Sequence, residues 1–256
     1  MKLKTVNHAP INNPLQRFAR YEFKYFLNKN LRDAIEKEVR YFMEYDGYTH
    51  RELHNSYIVR SIYFDNFISS NFNEKVDGIK KRSKYRIRTY SQNESTNVPI
   101  FLEKKGRVNE RTYKVRTEIK AQHLNDFSKP EHYEIILKNY KDNELVLEFV
   151  FDSIRKKLKP KVLVDYIRRP YTNKYGLYFR LTFDSNISAV LSNNLFLGEN
   201  SNYFQKCRAG YTILEVKFDR SIPPWFHRII QNYNLHRLSI SKFVMGMEQC
   251  GIAEDI

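Results

Sequence analysis

Lysine, arginine and glutamate recur at every second residue in segments that otherwise have the composition of β-strands. In residues 17–27, Arg20, Glu22 and Lys24 occupy even positions, and the odd positions are mostly aromatic or aliphatic. Successive side chains of a strand point to opposite faces of a sheet, so this period of two predicts one charged and one apolar face. Cations fixed on such a face are suited to holding an anion such as phosphate.

Seven further segments show the same alternation. They span residues 57–65, 82–90, 100–107, 114–118, 161–169, 178–184 and 211–219. Most of them carry Lys and Arg with isolated carboxylates on one face, and the first is more mixed and contains Arg60. An ordinary sheet with one face in water would explain any single segment. Their repetition favours one enclosed surface that all of the strands share.

An enclosed surface requires the sheet to close with its charged face inward. We therefore predict an α+β fold in which about eight antiparallel strands form a closed β-barrel around a charged tunnel. Closure would gather about a dozen cations, whose repulsion is tolerable only if an anion or a metal-bound phosphate neutralises it. The apolar faces would then point outward, where α-helices must cover them.

Four segments carry helical patterns that could cover such a barrel. Leu31–Tyr45 has an apolar stripe at helical spacing, and Asn28 or Asn30 could cap it. The segment 117–140 is predicted to be helical in part. In the segment 143–158 the expected buried residues are Leu145, Leu147, Phe149, Val150, Ile154 and Leu158. In a helix opened by two prolines they are Trp225, Ile229, Ile230 and Tyr233.

Length and charge limit the organisation and the partners. The chain has 256 residues and no low-complexity tract, so we predict one domain over 1–256 with its core at about 17–247. A net charge of +15 indicates a polyanionic partner: nucleic acid, anionic lipid or a phosphorylated substrate. Nucleic-acid binders usually carry their cations on exposed helices, tails or loops. Cations that alternate within strands argue against sequence-specific nucleic-acid binding.

Several other classes of protein are excluded by what the sequence lacks. No apolar run approaches the ~20 residues that span a bilayer, and the first residues lack the apolar core of a signal peptide. Cys207 and Cys250 are too few for a disulfide framework, and the histidines lack the paired spacing of a zinc site. No Gly-rich phosphate-binding loop is present. We expect a cytoplasmic protein with no membrane segment of its own.

Short motifs lie on the strands in a fixed order. They are Tyr21-Glu22-Phe23-Lys24-Tyr25, Ser61-Ile62-Tyr63-Phe64-Asp65-Asn66, Lys84-Tyr85-Arg86-Ile87-Arg88, Leu102-Glu103-Lys104-Lys105, Tyr113-Lys114-Val115-Arg116, Tyr166-Ile167-Arg168, Arg180-Leu181-Thr182-Phe183-Asp184, Leu214-Glu215-Val216-Lys217 and Ser241-Lys242-Phe243. Together they resemble a VTC domain, the polyphosphate-polymerase module of the CYTH-like triphosphate tunnel metalloenzymes. The resemblance runs from about Arg20 to Met247.

The resemblance implies a metal-dependent phosphotransferase that moves the γ-phosphoryl group of ATP to a growing polyphosphate chain inside the tunnel. ATP and polyphosphate would be its partners, and Mn²⁺ or Mg²⁺ its cofactor, held by Glu215. The implied catalytic residues are Arg86, Arg88, Arg168, Arg180 and Lys242. The implied phosphate-binding residues are Lys24, Lys105, Lys114, Arg116, Tyr166 and Ser241. Phosphoryl transfer needs chiefly positioning and neutralisation of spread negative charge, which agrees with the charged interior.

Two positions depart from the pattern of related tunnel enzymes. Arg20 stands where tunnel triphosphatases tend to carry the first glutamate of Glu-x-Glu-x-Lys, and Ser239 stands where some relatives carry a basic residue. Fewer carboxylates disfavour metal-assisted activation of water, and therefore hydrolysis. A tunnel triphosphatase acting on tripolyphosphate or a nucleoside triphosphate nevertheless remains an alternative, as does a non-catalytic module that binds polyphosphate or another polyanion.

Some residues also allow a purely structural interpretation. Glu103 is a second candidate metal ligand, yet Glu103 and Glu215 could simply pair with Lys105 and Lys217 along their strands. Tyr166 could be a packing residue, as strand tyrosines usually are.

Overall fold

The computed structural model describes residues 21–46, 53–94, 98–109, 111–174, 178–198 and 203–253. The strands are β1 (Tyr21–Leu27), β2 (Met43–Tyr45), β3 (Tyr57–Asp65), β4 (Lys81–Thr89), β5 (Ile100–Val108), β6 (Arg111–Ile119), β7 (Lys159–Asn173), β8 (Phe179–Leu191), β9 (Gln205–Lys206) and β10 (Thr212–Phe218). The helices are α1 (Lys29–Phe42), α2 (Ser70–Val76), α3 (Tyr133–Asn139), α4 (Glu144–Lys156), α5 (Pro224–Asn232) and α6 (Lys242–Gln249). Residues 17–20 of the first predicted strand, Arg20 among them, lie outside the described residues.

One antiparallel sheet runs through the molecule in the order β1-β10-β8-β7-β3-β4-β5-β6. β2 pairs with β7 and β9 with β8, outside this path. The eight strands of the path correspond to the eight alternating segments of the sequence, and β3 has the bounds that were predicted. Directly paired residues share a face, so Lys24 opposite Glu215 and Arg86 opposite Glu103 fall on the same charged surface.

The predicted closed barrel is not formed by hydrogen bonds. Among the described residues, the ladder of strand pairs ends at β1 on one side and at β6 on the other. The sheet still curves until Cα atoms of these two end strands come within 8 Å of each other. Side chains bridge the gap, because Lys105 on β5 donates to Glu22 on β1 at 3.0 Å. The charged face is therefore concave, and this ion pair links β1 to β5 across the interior.

Helices cover the convex, apolar face at two places. α3 and α4 pack over β3 to β6, where the ring of Phe149 on α4 meets those of Phe64 on β3 and Tyr85 on β4. α1 and α5 pack over β1, β8 and β10, where Ile35 and Phe226 are fully buried. Both layers remove apolar strand faces from water, which is the main favourable contribution to folding.

α6 lies on the concave face instead. Val162 and Val164 share the face of Tyr166 on β7, and Gly246 of α6 packs directly against them. A Cβ atom at Gly246 would lie 3.0 Å from the Val164 side chain, so this close approach favours glycine. The expectation that every apolar strand face points outward is wrong here. One end of the concave face is apolar, and α6 covers it.

The first predicted helix has the predicted cap at Asn28, but it begins two residues before Leu31, at Lys29, and ends earlier than predicted. The Asn28 side chain accepts a hydrogen bond from the backbone N–H of Leu31 at 2.9 Å, as expected of an N-cap. The helix stops at Phe42, whereas Tyr45 was predicted. Met43–Tyr45 instead forms a short strand that pairs with Tyr171–Asn173 of β7, so the sheet and not the helix takes up these backbone groups.

The apolar face predicted for the segment 143–158 is too broad. Asn143 caps α4 by accepting from a backbone N–H, and the helix ends at Lys156. Leu147 and Ile154 are 37% and 63% exposed, because they lie on the side of α4 that faces away from the sheet. The other four predicted residues are buried.

The remaining expectations are met in part. In α5, Ile229 is buried as predicted, whereas Trp225, Ile230 and Tyr233 are half-buried and Phe226 takes the innermost position. The segment 117–140 contains the end of β6, two 3-10 segments at Ala121–Ser128 and Pro130–His132, and α3.

Arg60 does not belong to the charged concave surface. It lies on the convex face of β3, where its guanidinium donates to Asp165 at 2.7 Å and to the backbone carbonyl of Gln92 at 2.8 Å. The pair is almost fully buried. Both charges are neutralised within the fold, so Arg60 is a structural residue. Across the described ranges, no helix is both long and apolar enough to cross a membrane.

Candidate functional site

The concave face encloses a cavity of about 1600 Å³, called the central cavity below. Fifteen Lys and Arg residues line it, against four Asp and Glu residues. The lining includes all twelve candidate site residues of the sequence: Lys24, Arg86, Arg88, Lys105, Lys114, Arg116, Tyr166, Arg168, Arg180, Glu215, Ser241 and Lys242. Strand parity therefore placed the strand residues among them on one surface correctly, whereas Ser241 and Lys242 came from the resemblance and lie at the start of α6. The excess of cations makes that surface a site for an anion.

β4, β5 and β6 form one side of the cavity, called the cationic wall. Glu103 lies beneath it, fully buried, and accepts from Arg86 at 2.7 Å and from Lys114 at 2.9 Å. Burial raises the pKa of Glu103, but Arg86, Arg88 and Lys114 together outweigh it and hold the pKa far below its usual range. Glu103 does not line the cavity. Its geometry is that of a counter-ion that fixes two cations, so it is poorly placed to hold a metal.

Hydroxyl groups orient the arginines of this wall. Arg88 donates to Ser61 Oγ at 2.9 Å and to the Tyr166 hydroxyl at 3.2 Å. Arg86 donates to the Tyr63 hydroxyl at 3.1 Å. Tyr166 thus helps to orient Arg88, and Tyr63 helps to orient Arg86. These contacts fix the guanidinium planes, which Arg needs to bind phosphate oxygens in pairs.

Three lysines stand side by side across the cationic wall. Lys84 is opposite Lys105, and Lys105 is opposite Lys114, on three successive strands. Burial lowers the pKa of Lys105 more than Glu22 raises it, and Lys24 lowers it further, to about 8. The pKa of Lys114 falls to about 7, because burial and the arginines outweigh Glu103.

Lys84 is the least compensated of the three lysines. It donates to Ser241 Oγ at 3.2 Å and lies 4.6 Å from the centre of the Phe243 ring. Among the described residues, no carboxylate lies within ion-pair distance of Lys84. Burial, followed by repulsion from Lys105 and Lys24, lowers its pKa well below the ordinary value. What accessible surface Lys84 keeps opens into the central cavity, so a bound anion is the partner that this position lacks.

β1, β7, β8 and β10 form the opposite side, called the mixed wall because carboxylates alternate with cations. The fully buried Asp184 accepts from Arg168 in a bidentate pair at 2.7 Å and lies 2.6 Å from Lys242. Burial raises the pKa of Asp184, but Arg168 and Lys242 outweigh it and lower the pKa. Asp184 is thus the buried counter-ion of the mixed wall, as Glu103 is the buried counter-ion of the cationic wall.

Arg168 and Arg180 do not stand at adjacent positions, although their strands β7 and β8 pair directly. Arg168 is opposite Asp184, and Arg180 is opposite Thr172 and close to Asp46, with 2.5 Å between the charged groups. Both arginines line the central cavity. They would therefore meet different parts of an extended ligand.

Glu22 and Glu215 are the carboxylates of the mixed wall that face the cavity. Glu215 lies 2.5 Å from Lys217 and 3.9 Å from Lys24, and Glu22 lies 2.9 Å from Lys24. Burial raises the pKa of Glu215, but Lys217, Lys24 and Arg168 outweigh it and hold the pKa well below the ordinary value. The pairing of Glu215 with Lys217 that the sequence allowed is thus present.

These carboxylates fit a metal ion that arrives with phosphate. In the part of the chain described, no group of three or more His, Cys, Asp and Glu residues could hold a metal. Mg²⁺ does not need such a cage, because it commonly takes one or two carboxylates and completes its shell with water and substrate phosphates. Glu215, with Glu22 near it, can supply that part of the shell.

The start of α6 adds a further anion-binding element. Ser241 caps the helix by accepting from the backbone N–H of Val244, and it also accepts from Lys84. Lys242, the first residue of α6, points to the same cavity. A helix N-terminus carries partial positive charge, which favours phosphate. Ser241 and Lys242 therefore lie beside the row of lysines, on the same cavity.

Sequence reasoning missed four functional positions: Glu22, Tyr63, Lys84 and Asp184. Glu22, Lys84 and Asp184 occupy charged-face positions of their strands, so the alternation in the sequence could have identified them. Tyr63 shares its face with Ser61, opposite the arginines of β4.

The fold and the cavity define a class: a strongly curved antiparallel sheet with a cationic interior and an outer layer of helices. The VTC domain family matches residues 19–250, and the chain belongs to that family. The resemblance drawn from the ordered motifs is confirmed.

Solved structures with low sequence identity also align with the chain. A protein from Pyrococcus horikoshii OT3 is 16% identical over 90% of this chain and 98% of its own, with a TM-score of 0.47. A Bacillus halodurans protein named for a proposed adenylate cyclase activity is 11% identical over 86% and 92%, with a TM-score of 0.45. The Mimivirus capping enzyme triphosphatase is 11% identical over 84% and 88%, with a TM-score of 0.32. The family match, and not these distant structures, identifies the chain.

Proposed function

We propose that this protein is a polyphosphate polymerase that transfers the γ-phosphoryl group of ATP to a growing polyphosphate chain in the central cavity. Membership of the VTC family supports a function with polyphosphate or triphosphate. The observation that carries the proposal is the row formed by Lys84, Lys105 and Lys114, which faces the cavity with too few carboxylates to neutralise it. Without a ligand, burial and repulsion from neighbouring cations lower the pKa of these lysines, so a polyanion bound along the row would be strongly favoured.

Two unsatisfied groups support a ligand at the opposite wall. Arg180 and Thr182 line the central cavity, and the buried Arg180 Nε and Thr182 Oγ1 atoms lack a hydrogen-bond partner among the described residues. Buried polar atoms are nearly always paired in native proteins. Phosphate oxygens would supply the missing acceptors for both the guanidinium and the hydroxyl.

The residues would share the work of an in-line transfer. A terminal oxygen of the acceptor chain attacks the γ-phosphorus, the bond to the β–γ bridging oxygen breaks, and ADP leaves with the negative charge. The cationic wall holds the triphosphate and the acceptor in line, and Arg168 and Lys242 neutralise charge on the transferred group from fixed positions. A metal ion held by Glu215 would add charge neutralisation between phosphates when bound.

Hydrolysis is the second candidate, because Glu22 and Glu215 both face the cavity. Each of these carboxylates is engaged by a lysine within 3.0 Å, which leaves them weak bases for activating water. This arrangement favours transfer to phosphate over transfer to water. A non-catalytic polyanion-binding module would use the same cations without turnover.

One incubation with ATP and Mn²⁺ tests the proposal. Polymer on a polyphosphate-staining gel with release of ADP is the expected result. Orthophosphate without polymer would mean a triphosphatase, and tight binding without turnover would mean a binding module. Glu215→Gln should keep the fold and lose most metal-dependent turnover at every Mn²⁺ concentration. Glu118→Gln, at an exposed position of β6 outside the cavity, is the matched control and should stay active.

A further inference from the structure

A second cavity of about 1200 Å³ lies outside the central cavity, beside α2 and α6. Its lining includes Lys75, Lys80, Arg82, Arg107 and Arg208, with Glu248 as the carboxylate. The two cavities share Lys75, Arg82, Arg107 and the segment 238–241, so they meet at a common rim. We call this outer cavity the basic groove.

The rim carries a pair of like charges. Arg82 on β4 is directly opposite Arg107 on β5. Burial lowers the pKa of Arg82, and repulsion from Arg107 lowers it further. Like charges directly opposite each other destabilise a sheet. Glu74 offsets part of this repulsion, and an anion between the two guanidinium groups would offset more of it.

The cations form a line from the central cavity into the groove. Lys84, Arg82 and Lys80 follow one another at every second residue of β4 and the turn before it, at intervals of about 7 Å along an extended chain. Arg208 extends the line across the groove, and its guanidinium is held 4.5 Å over the ring of Phe26. A path with repeated positive charge and no enclosed end fits a long linear anion better than a compact one.

We infer that the basic groove binds the part of a linear polyphosphate chain that extends beyond the central cavity. The inference rests on the proposed function, because it assigns the phosphate polymer as the ligand. Single-stranded nucleic acid would need aromatic side chains on which its bases can stack. Phe26 is the aromatic residue of the groove lining, and Arg208 already covers its ring. The groove therefore offers charge without stacking surfaces, which suits polyphosphate.

The test compares a short and a long ligand on charge variants. Lys80 and Arg208 are exposed and line the groove without lining the central cavity. The double variant Lys80→Gln/Arg208→Gln should bind long-chain polyphosphate about tenfold more weakly at low salt and tripolyphosphate within about twofold of wild type. Its binding of the long chain should also lose about two units of salt slope, one for each phosphate contact removed. Titration calorimetry over a range of salt concentrations measures both.

Two control variants separate charge at the groove from general charge and from folding. Lys138→Gln/Lys141→Gln removes two exposed lysines elsewhere and should leave long-chain binding unchanged. Lys80→Arg/Arg208→Lys keeps both charges and should bind like wild type. Equal loss in the Lys138/Lys141 variant would overturn the inference, as would unchanged long-chain binding in the Lys80/Arg208 Gln variant. Equal salt slopes for tripolyphosphate and the long chain in wild type would also overturn it.

The outcomes also separate the groove from the proposed function. If wild type fails to bind tripolyphosphate, the proposed function fails, whereas selective loss of long-chain binding in the groove variant still supports the groove. If the groove variant loses binding of a single-stranded RNA and retains binding of polyphosphate, the groove is a nucleic-acid site and the inference is wrong.

Discussion

The two walls of the central cavity differ in how far carboxylates neutralise their cations. On the cationic wall, Glu103 is the carboxylate that neutralises Arg86 and Lys114, and Lys84 has no carboxylate partner among the described residues. On the mixed wall, Asp184 and Glu215 alternate with cations, and Arg168 has one of them at 2.7 Å and the other at 3.8 Å.

This difference assigns separate tasks to the two walls. The mixed wall is nearly neutral on its own and keeps its groups in fixed positions before any ligand arrives, as preorganised catalytic groups require. The cationic wall has unneutralised charge, so it gains most from a bound polyanion. Under the proposed function, a bound polyanion would offset the repulsion between Lys84, Lys105 and Lys114.

Removing Glu103 should show the largest effect on stability. Glu103→Gln leaves Arg86 and Lys114 without their buried counter-ion, and we expect a loss of about 3 kcal/mol in the free energy of unfolding. Asp184→Asn should lose less, because Arg168 keeps Glu215 at 3.8 Å. Urea unfolding of both variants measures the comparison, and tripolyphosphate should restore more stability to Glu103→Gln. Equal losses would contradict the difference between the walls.

Substituting arginine by lysine should separate positioning from binding. Arg168→Lys keeps the charge but loses the planar pair of donors, so kcat should fall at least ~10-fold, about 1.4 kcal/mol, with a smaller change in nucleotide affinity. Arg116→Lys, on the exposed part of the cationic wall, should raise KM and leave kcat nearly unchanged. Steady-state kinetics on both variants decides. Weakened binding with kcat intact in Arg168→Lys would make Arg168 a ground-state anchor.

Neutralising Lys84 should have opposite effects on the free and bound states. Lys84→Met removes an uncompensated cation and should raise the free energy of unfolding of the free protein by about 1 kcal/mol. The same variant should bind tripolyphosphate about fivefold more weakly, because the ligand loses a charge partner. Thermal unfolding with and without tripolyphosphate measures both signs. Destabilisation of the free protein would show that Lys84 is compensated in a way its contacts do not indicate.

The pH dependence of binding should be the smallest effect. The pKa values of Lys105 and Lys114 are about 8 and about 7, so both lysines lose protons as the pH rises through this range. A polyanion binds the protonated forms, and affinity should therefore fall about threefold from pH 7 to pH 8, with proton uptake on binding. Calorimetry in buffers of different ionisation enthalpy measures the uptake. Lys114→Arg stays charged over this range and should weaken the pH dependence of the affinity. An unaltered pH dependence would mean that groups other than Lys114 cause it.

The sequence predicted which side chains share a face of the sheet better than it predicted whether the sheet closes into a barrel. Parity alone placed Lys24, Arg86 and Glu215 on one surface, because each strand fixes its own two faces locally. Whether β1 and β6 pair is decided by curvature summed over the whole sheet, which no single strand encodes. The Lys105–Glu22 contact across the seam was unforeseen for this reason.

The alternation of the sequence also did not predict how deeply a side chain is buried or which side chain it contacts. Glu103 and Lys105 share a face and a strand, yet one is buried beneath the arginines and the other lines the cavity. The motif Ser241-Lys242-Phe243 was recognised, but not as the start of a helix packed inside the sheet. α6 is short, and the valines beneath it have the same apolar signal as valines on the convex face.

The side-chain seam between β1 and β6 also governs how this protein behaves toward other copies of itself. The edge of a sheet presents unpaired backbone groups that a second chain can extend into a larger sheet. In the residues described, the two edge strands approach each other within 8 Å between Cα atoms, and Arg116 and Glu118 leave β6 with exposed charges. Each edge thereby blocks access to the other, so the curvature that encloses the anion site also protects the chain against aggregation through intermolecular β-sheet growth.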